Sequence, residues 1–360
     1  MGDLCNVLMC KRILVSQTNT EDGVPFYKIG TIGSTPDAYI SKELFDDYKV
    51  KYNYPRKGEV MITCAGTVGK CVVYDGEDAY FQDSNIVWID NPTQYISNGF
   101  LFHLLSKVDW RKLNSTTIIR IYNDDLRNLK MSYPRKEEQQ KISHLLSLLD
   151  ERIATQNKII EDLKKLKSAI IDQLYSAIKG KGYSYRQIFE IVNERNKQLE
   201  YSNILSASQE KGMVNREDLN LDIQFERSNI NTYKVVRKGD YVIHLRSFQG
   251  GYAFSDKIGV CSPAYTILRP NDLLEFRYLS YYFTSQKFIK SLIIVTYGIR
   301  DGRSINVEEW LDMKTTIPQK EQQRHIVDTI RNIEKKIENE ELYASYLSKQ
   351  KQYLLRQLFI

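Results

Sequence analysis

The sequence predicts an α+β protein in which two globular α/β domains are separated by two long helices that form an antiparallel coiled coil. Three observations predict this class. A helical segment occurs twice, both copies carry a heptad seam, and a glycine-punctuated segment rich in β-branched and aromatic residues precedes each copy. The predicted order is a globular domain at 1–133, a helical spacer at 134–182, a second globular domain at 183–317 and a second spacer at 318–360, an internal repeat with pseudo-twofold symmetry.

The composition is that of a globular chain with more than one core. Of the 360 residues, 42% are hydrophobic and 27% are charged, which excludes a disordered chain, a fibre and a small disulfide scaffold. The longest apolar run, at residues 101–105, is far below the ~18 residues of a membrane span. The N-terminus lacks the basic-then-apolar layout of a signal peptide. We therefore expect a cytoplasmic protein.

The cysteines and the net charge exclude little. The five cysteines show no Cys-x-x-Cys spacing and no neighbouring histidine pair, so we expect packed thiols and neither a metal site nor a cofactor. The net charge is +6, with 51 basic and 45 acidic residues. This mild excess permits a nucleic-acid partner but does not by itself indicate one.

The helical segments are related by a constant offset of 184 residues. The alignment runs without a gap from Pro134 on Pro318 to Leu174 on Leu358. In the first copy the residues that recur unchanged are Pro134, Lys136, Glu137, Gln139, Ile142, Ile153, Leu163, Lys165, Lys167, Gln173 and Leu174. The globular segments are much less alike, so the helices share one role while the two domains have different ones.

Each helical segment contains a seam with 4-3 spacing, running from Ile142 to Leu174 and from Ile326 to Leu358. A helix of about 40 residues would be ~60 Å long. Such a helix is stable in water only if its seam is buried, and the second seam is the obvious partner. Two separate bundles in unrelated domains are the alternative.

Polar residues interrupt both seams at equivalent positions and predict the register. An antiparallel pair that places Gln156 opposite Lys351 also places Lys167 opposite Glu340. A parallel pair would instead bring Lys167 against Lys351, two like charges in a seam. We therefore predict antiparallel helices in the register that joins Lys167 to Glu340.

Short motifs place strands and loops in the globular segments. A Lys-Gly-acid turn at 57–59 and again at 238–240 opens an apolar strand. Glycine loops follow at 65–70 and 247–251. The first of these fails the P-loop spacing, because Cys64 and Cys71 stand where glycine and a hydroxyl residue are required, so a hairpin loop is predicted there.

The order of these motifs resembles the specificity subunit of type I restriction-modification systems. The resemblance rests on the stretch 58–70, GEVMITCAGTVGK, and on the duplicated Pro-x-Lys-Glu segments at 134–142 and 318–326. It spans essentially the whole chain. It implies a non-catalytic protein with two target-recognition domains, each reading half of a bipartite double-stranded DNA site, and helices that fix the spacing. The partners it implies are two adenine-N6 methyltransferase subunits and motor-nuclease (restriction) subunits.

Residues 1–133 contain 15 basic and 16 acidic residues, so a DNA-binding face there depends on local clusters. Phosphate contacts need a few Lys or Arg, and base edges are read by Arg, Asn, Gln, Ser and Thr. The candidates are Lys28, Lys57, Thr67, Lys70, Gln82, Asn85 and Arg120 in the first domain and Arg237, Lys238, Arg246, Gln249, Arg300 and Arg303 in the second. The stretch at 297–304 suits insertion into a groove, with a solvated surface loop as the alternative.

Two other functional classes remain as alternatives. A DNA methyltransferase or nuclease would need a recognisable active site, and Asn91-Pro92 lacks the second proline and the aromatic residue of a methyltransferase motif. No histidine–acid cluster has an interpretable spacing, and no catalytic residue is predicted. A coiled-coil scaffold without a DNA role would be distinguished by the absence of salt-dependent DNA binding.

Overall fold

The structure, a computed structural model, describes residues 1–113, 120–208, 211–219, 227–244, 251–297 and 304–359. Two compact units make up the chain. Unit 1 consists of residues 1–157 and 342–360, and unit 2 of residues 158–341. Each unit therefore combines one globular segment with part of both long helices.

Unit 1 is a mixed domain built on two small sheets. Its strands are β1 (Asn6–Leu8), β2 (Val24–Tyr27), β3 (Tyr39–Ile40), β4 (Val60–Thr63), β5 (Cys71–Val73), β6 (Tyr80–Phe81) and β7 (Ile86–Asp90). Its short helices are α1 (Lys42–Lys51), α2 (Asn98–Lys107) and α3 (Asn123–Arg127), with 3₁₀ turns at Val15–Gln17 and Trp110–Leu113. The long helix α4 (Lys136–Ser176) begins in this unit.

The main sheet of unit 1 has the strand order β1-β7-β4-β5, with all neighbours antiparallel. Met61 in the central strand β4 faces Trp88 on one side and Val72 on the other. Every residue of β4 is buried because helices and the second sheet, β3-β2-β6, contribute to cores beside it. The sheet therefore forms a fixed base for the loops at its edges.

Unit 2 repeats this plan with different connections. Its strands are β8 (Lys181–Ser184), β9 (Phe189–Val192), β10 (Leu205–Ser208), β11 (Gly212–Asn215), β12 (Lys234–Val236), β13 (Tyr241–Ile243), β14 (Tyr252–Phe254), β15 (Gly259–Cys261), β16 (Thr266–Pro270), β17 (Thr296–Tyr297), β18 (Ser304–Ile305) and β19 (Lys314–Ile317). Its helices are α5 (Tyr185–Ile188), α6 (Tyr278–Tyr282), α7 (Gln286–Ser291), α8 (Val307–Asp312) and α9 (Lys320–Leu358), which continues into unit 1, and its 3₁₀ turns are Arg216–Leu219, Arg227–Thr232 and Leu292–Val295.

The main sheet of unit 2 has the order β9-β16-β13-β14, which matches β1-β7-β4-β5 strand for strand. All of its neighbours are again antiparallel. An aromatic core packs on it, in which Tyr185 stacks on Trp310 with ring centroids 4.2 Å apart. The two globular segments are only weakly alike in sequence, yet each contains a main sheet of the same strand order.

The predicted turns open the central strands in both units. Gly58 and Gly239 have φ values of +87° and +99°, a region that a side chain at Cβ disfavours. The buried carboxylates of Glu59 and Asp240 accept hydrogen bonds from the backbone N–H groups of the arginines that begin the turns, at 2.7 and 2.9 Å. The same hydrogen-bonded turn therefore precedes the central strand in each unit.

The two long helices predicted from the heptads are confirmed. Helix α4 spans 41 residues and α9 spans 39, and each starts two residues after its proline. In unit 1 the first half of α4 contributes to a core shared with the end of α9, and in unit 2 the last turns of α4 share a core with the start of α9. The helices therefore run antiparallel. No helix in the described ranges is both long and apolar enough to cross a membrane.

The register differs from the prediction. Lys167 lies 3.3 Å from Glu334 rather than opposite Glu340, which bonds Lys336 on its own helix. Lys351 is paired with Asp150, which lies six residues before the predicted Gln156. Glu334 likewise lies six residues before Glu340. Because a heptad seam repeats every seven residues, a shift of nearly one heptad still buries apolar residues, which is why the sequence did not distinguish the two registers.

Candidate nucleic-acid interface

Most of the first-domain candidates lie on a single surface of unit 1, built by three loops at residues 28–33, 64–70 and 82–85. We call this surface the loop patch, and its predicted members are Lys28, Thr67, Lys70, Gln82, Asn85 and Arg120. Side chains join the loops by bonding backbone groups of their neighbours. Thr67 Oγ1 donates to Ile29 O at 3.0 Å, and Lys70 Nζ donates to Ile32 O at 2.5 Å. The patch is thus one connected surface.

The third loop and the segment after it are tied in through further backbone bonds. Gln82 Oε1 accepts from the N–H of Ile29 at 3.4 Å, and Asn85 O accepts from the N–H of Cys64 at 2.7 Å. Arg120 Nη2 donates to Ser84 O at 3.3 Å. Candidates taken from distant parts of the sequence therefore meet at one place.

Two glycines fix the path of the β4–β5 hairpin loop. Gly66 and Gly69 have φ values of +65° and +84°. A Cβ at Gly69 would lie 2.3 Å from the indole of Trp110, and one at Gly66 would lie 2.7 Å from Ile29. The loop backbone therefore lies directly against these side chains, which is a second reason for glycine at these positions. The loop is the predicted hairpin.

A groove of about 550 Å³ runs along this hairpin loop. Its lining includes Thr67, Lys70 and Arg111, and both Lys70 and Arg111 are exposed. Sequence reasoning missed Arg111, although the Trp-Arg-Lys run at 110–112 is a basic segment anchored by a buried tryptophan. Two cations beside the hydroxyl of Thr67 suit a phosphate backbone, and Gln82 and Asn85 elsewhere in the loop patch carry amides that suit base edges.

Nearby carboxylates reduce the positive charge of the patch. Lys28 lies 2.9 Å from Asp37, and Arg12, a second residue not predicted, lies 3.0 Å from Asp83. The pair of Lys28 with Asp37 is exposed on both sides and is therefore weak, whereas in the other pair Arg12 is exposed and Asp83 is mostly buried. Lys70 and Arg111 are therefore the cations that the geometry favours most for an anionic ligand.

The candidates in the two Lys-Gly-acid turns lie away from the hairpin loops. Lys57 precedes β4, whereas the hairpin loop follows it, so the two lie at opposite ends of the strand. In unit 2 Arg237 and Lys238 occupy the equivalent place before β13. Arg237 bonds Glu194 at 2.8 Å, and Lys238 lies over the ring of Phe276 at 5.5 Å. The predicted DNA-contacting residues therefore do not all lie on one surface, because those in the turns lie at the other end of the central strand from the loop that follows it.

The remaining second-domain candidates, Arg246, Gln249, Arg300 and Arg303, lie outside the described residues.

The thiols next to the hairpin loop lie in apolar surroundings. Burial raises the pKa of Cys64 to about 11 and that of Cys71 to about 12. Both therefore stay protonated at neutral pH and are poor nucleophiles. Within the described ranges, no three His, Cys, Asp or Glu side chains come together as ligands for a metal ion.

The first part of the chain is similar to known proteins of one family. Residues 1–165 match the family described as type I restriction modification DNA specificity domain. A protein of Haemophilus influenzae named as a type I restriction enzyme specificity subunit is 49% identical over 163 residues, 45% of this chain and 42% of that relative. The chain thus matches less than half of the length of this relative.

Two further proteins match over most of their length. One from Methanocaldococcus jannaschii, named as a type I restriction enzyme MjaX specificity subunit, is 22% identical over 96% of this chain and 88% of its own. The second is the crystal structure of a type I restriction-modification system S subunit from M. genitalium. The match covers all of this chain and 94% of the M. genitalium chain, with a TM-score of 0.56 and 15% sequence identity. That structure shares the fold. Residues 1–165 therefore match the DNA specificity domain family of type I restriction-modification systems, and the chain as a whole is similar to type I specificity subunits.

Proposed function

We propose that this chain is the non-catalytic subunit that selects the DNA sequence in a type I restriction-modification complex. Segments 1–133 and 183–317 are the two recognition domains, and each reads one half of a bipartite double-stranded site. Segments 134–182 and 318–360 set the distance between the halves. The observation that carries the proposal is the structural repeat, in which two sheets of identical strand order each lead into a long helix while their loops differ.

The loop patch of unit 1 is the proposed reading surface of the first domain. Lys70 and Arg111 contact phosphates, which positions the domain on the duplex without reading bases. Thr67, Gln82 and Asn85 supply the hydroxyl and amide groups that distinguish base edges. Lys28 and Arg120 add positive charge within the patch, and Lys57 adds it at the opposite end of β4.

In the second domain the proposed contacts come from both ends of β13. Arg237 and Lys238 lie before the strand, and the segment with Arg246 and Gln249 follows it. Arg300 and Arg303 are the proposed groove-inserting residues. A different set of side chains on the same sheet would let the second domain read a different half-site.

The long helices are the proposed docking surface for two adenine-N6 methyltransferase subunits, and restriction subunits join that complex. Leu145, Leu148 and Leu166 on α4 are each about half exposed, which favours a surface that a partner covers. In this scheme the methyltransferase supplies the methyl-transfer chemistry and binds its cofactor, so this chain needs none.

Co-expression with the methyltransferase of its own system, followed by mapping of methylated adenines, tests the proposal. We expect a bipartite motif with a fixed gap. Gln82→Ala should relax base preference in one half only, whereas Lys51→Ala, an exposed lysine on α1, should change neither half. Methylation that persists when this chain is deleted would contradict the proposal.

A further inference from the structure

Two buried glutamines occupy the same position in the first turn of the two long helices. Gln139 in α4 and Gln323 in α9 are 184 residues apart, and their exposures are 1% and 0%. Glutamine is polar and is usually exposed in a helix. Full burial at both positions indicates that the side-chain amides have a specific task.

In unit 1 the amide of Gln139 joins the helix to the loop after the main sheet. Its Oε1 accepts from the N–H of Ser97 at 2.7 Å, and its Nε2 donates to Tyr95 O at 2.9 Å. The same Nε2 donates to Pro134 O at 2.9 Å, at the junction where the helix begins. The amide thus holds the domain loop, the junction and the helix together.

Unit 2 contains the same three bonds. Gln323 Oε1 accepts from the N–H of Glu275 at 2.8 Å, and Nε2 donates to Leu273 O at 2.9 Å and to Pro318 O at 3.0 Å. All partners in both units are backbone groups. The domain loops can therefore differ in sequence without losing the bonds, as residues 95–97 and 273–275 do.

A second attachment lies 11 residues further along each helix. In unit 1 Asp150 pairs with Lys351, and His103 of the domain packs on the same part of the helix, with Nε2 3.4 Å from Ser147 Oγ and Nδ1 4.0 Å from Asp150. In unit 2 Glu334 lies 3.3 Å from Lys167 and accepts a 2.7 Å hydrogen bond from Tyr281. Eleven residues span about 16 Å of helix. Two attachments this far apart define an angle between domain and helix, which a single attachment leaves free.

We propose that Gln139 and Gln323 are positioning residues that hold each recognition domain at a fixed angle to its helix and so determine how strictly the gap between half-sites is measured. The inference rests on the proposed function and goes beyond it, because it assigns gap discrimination to residues that are buried inside the protein. Loss of either amide should let the domain pivot at the proline junction while its reading loops stay intact.

The test uses the full chain in complex with its methyltransferase. Gln139→Met and Gln323→Met remove the bonds at similar volume, and the exposed neighbours Gln140→Met and Gln322→Met are matched controls. Methylation is measured on duplexes with the native gap and with one base pair added or removed. We expect the native-to-shifted ratio to fall by about tenfold, the size that the loss of one or two net hydrogen bonds gives, with half-site bases and controls unchanged.

Two outcomes would overturn the inference, namely an unchanged ratio and an equal loss of methylation at all gaps, which marks a merely stabilising role. If a methionine variant accumulates poorly, Gln139→Glu and Gln323→Glu, which keep the acceptor but lose amide donors, must still lower the ratio. A wild-type complex that methylates no bipartite site defeats the proposed function itself. Wild-type gap discrimination that the variants retain defeats only the positioning role.

Discussion

Glu59 and Asp240 close equivalent turns in the two units, yet their surroundings differ. Asp240 lies 3.0 Å from Arg269, which compensates its buried charge. Glu59 instead has Asp90 nearby, and burial together with that charge raises the pKa of Glu59. A folded-state pKa above the unfolded value means that ionisation of Glu59 costs stability as the pH rises. The same turn therefore forms around a buried carboxylate that is paired with Arg269 in unit 2 and around one whose pKa is raised in unit 1.

Gly69→Ala should destabilise unit 1 and weaken DNA binding. The added methyl meets Trp110 at 2.3 Å, and the residue keeps a positive φ. Backbone strain and overpacking together cost about 2–4 kcal/mol. Gly30→Ala, in the adjoining loop with nothing within 4 Å of its Cβ, is the control and should leave the melting curve nearly unchanged. Equal melting curves for the two variants would contradict this account of the hairpin.

His103 should make unit 1 less stable in mild acid. Burial lowers the pKa of His103, with Asp150 acting in the opposite direction and Lys351 adding to the decrease. Because the unfolded chain then binds the proton more readily, stability is complete above about pH 6.5 and is lost as the pH falls through that value. Urea unfolding between pH 5 and 8 measures the slope. His103→Gln should flatten it, and the exposed His144→Gln should not.

The two long helices and the strands that follow the two Lys-Gly-acid turns were predictable from the sequence, whereas the register of the helices was not. The bounds of α4 and α9 follow from proline and heptad spacing, and the strands after Gly58 and Gly239 from turn chemistry. The register depends on Asp150 and Glu334, which lie beside the seam rather than in it, so a pattern of seam positions contained no information on them. Arg111 lies beside the hairpin loop because its neighbour Trp110 packs against Gly69, and no local sequence motif reveals that tertiary contact.

Double-mutant cycles on the paired helices should distinguish the observed register from the predicted one. Lys167 and Glu334 are partly exposed, so their coupling free energy should be about 0.5–1 kcal/mol. The cycle of Lys167 with Glu340 should give a value near zero. Both are measured by chemical unfolding of alanine variants. A larger coupling for Lys167 with Glu340 would restore the predicted register.

Across the whole molecule, the excess of positive charge is small, so the proposed DNA binding depends on local clusters rather than on the net charge of +6. This gives a prediction for the salt dependence of binding by the assembled complex. Lys70→Ala and Arg111→Ala should each weaken binding to all sequences and lower the slope of log K against log salt by about 1. Lys51→Ala should leave the slope unchanged. An unchanged slope in the first two variants would remove them from the interface.

The ion pairs between the long helices have a consequence for shortened forms of this chain. Asp150 and Lys167 both belong to α4, and Glu334 and Lys351 are their repeats in α9. Helix α4 therefore carries both halves of the contact that it makes with α9. A chain ending near residue 182 would be self-complementary, and two copies would be able to associate through an isologous interface in which each lysine meets the aspartate of the other copy.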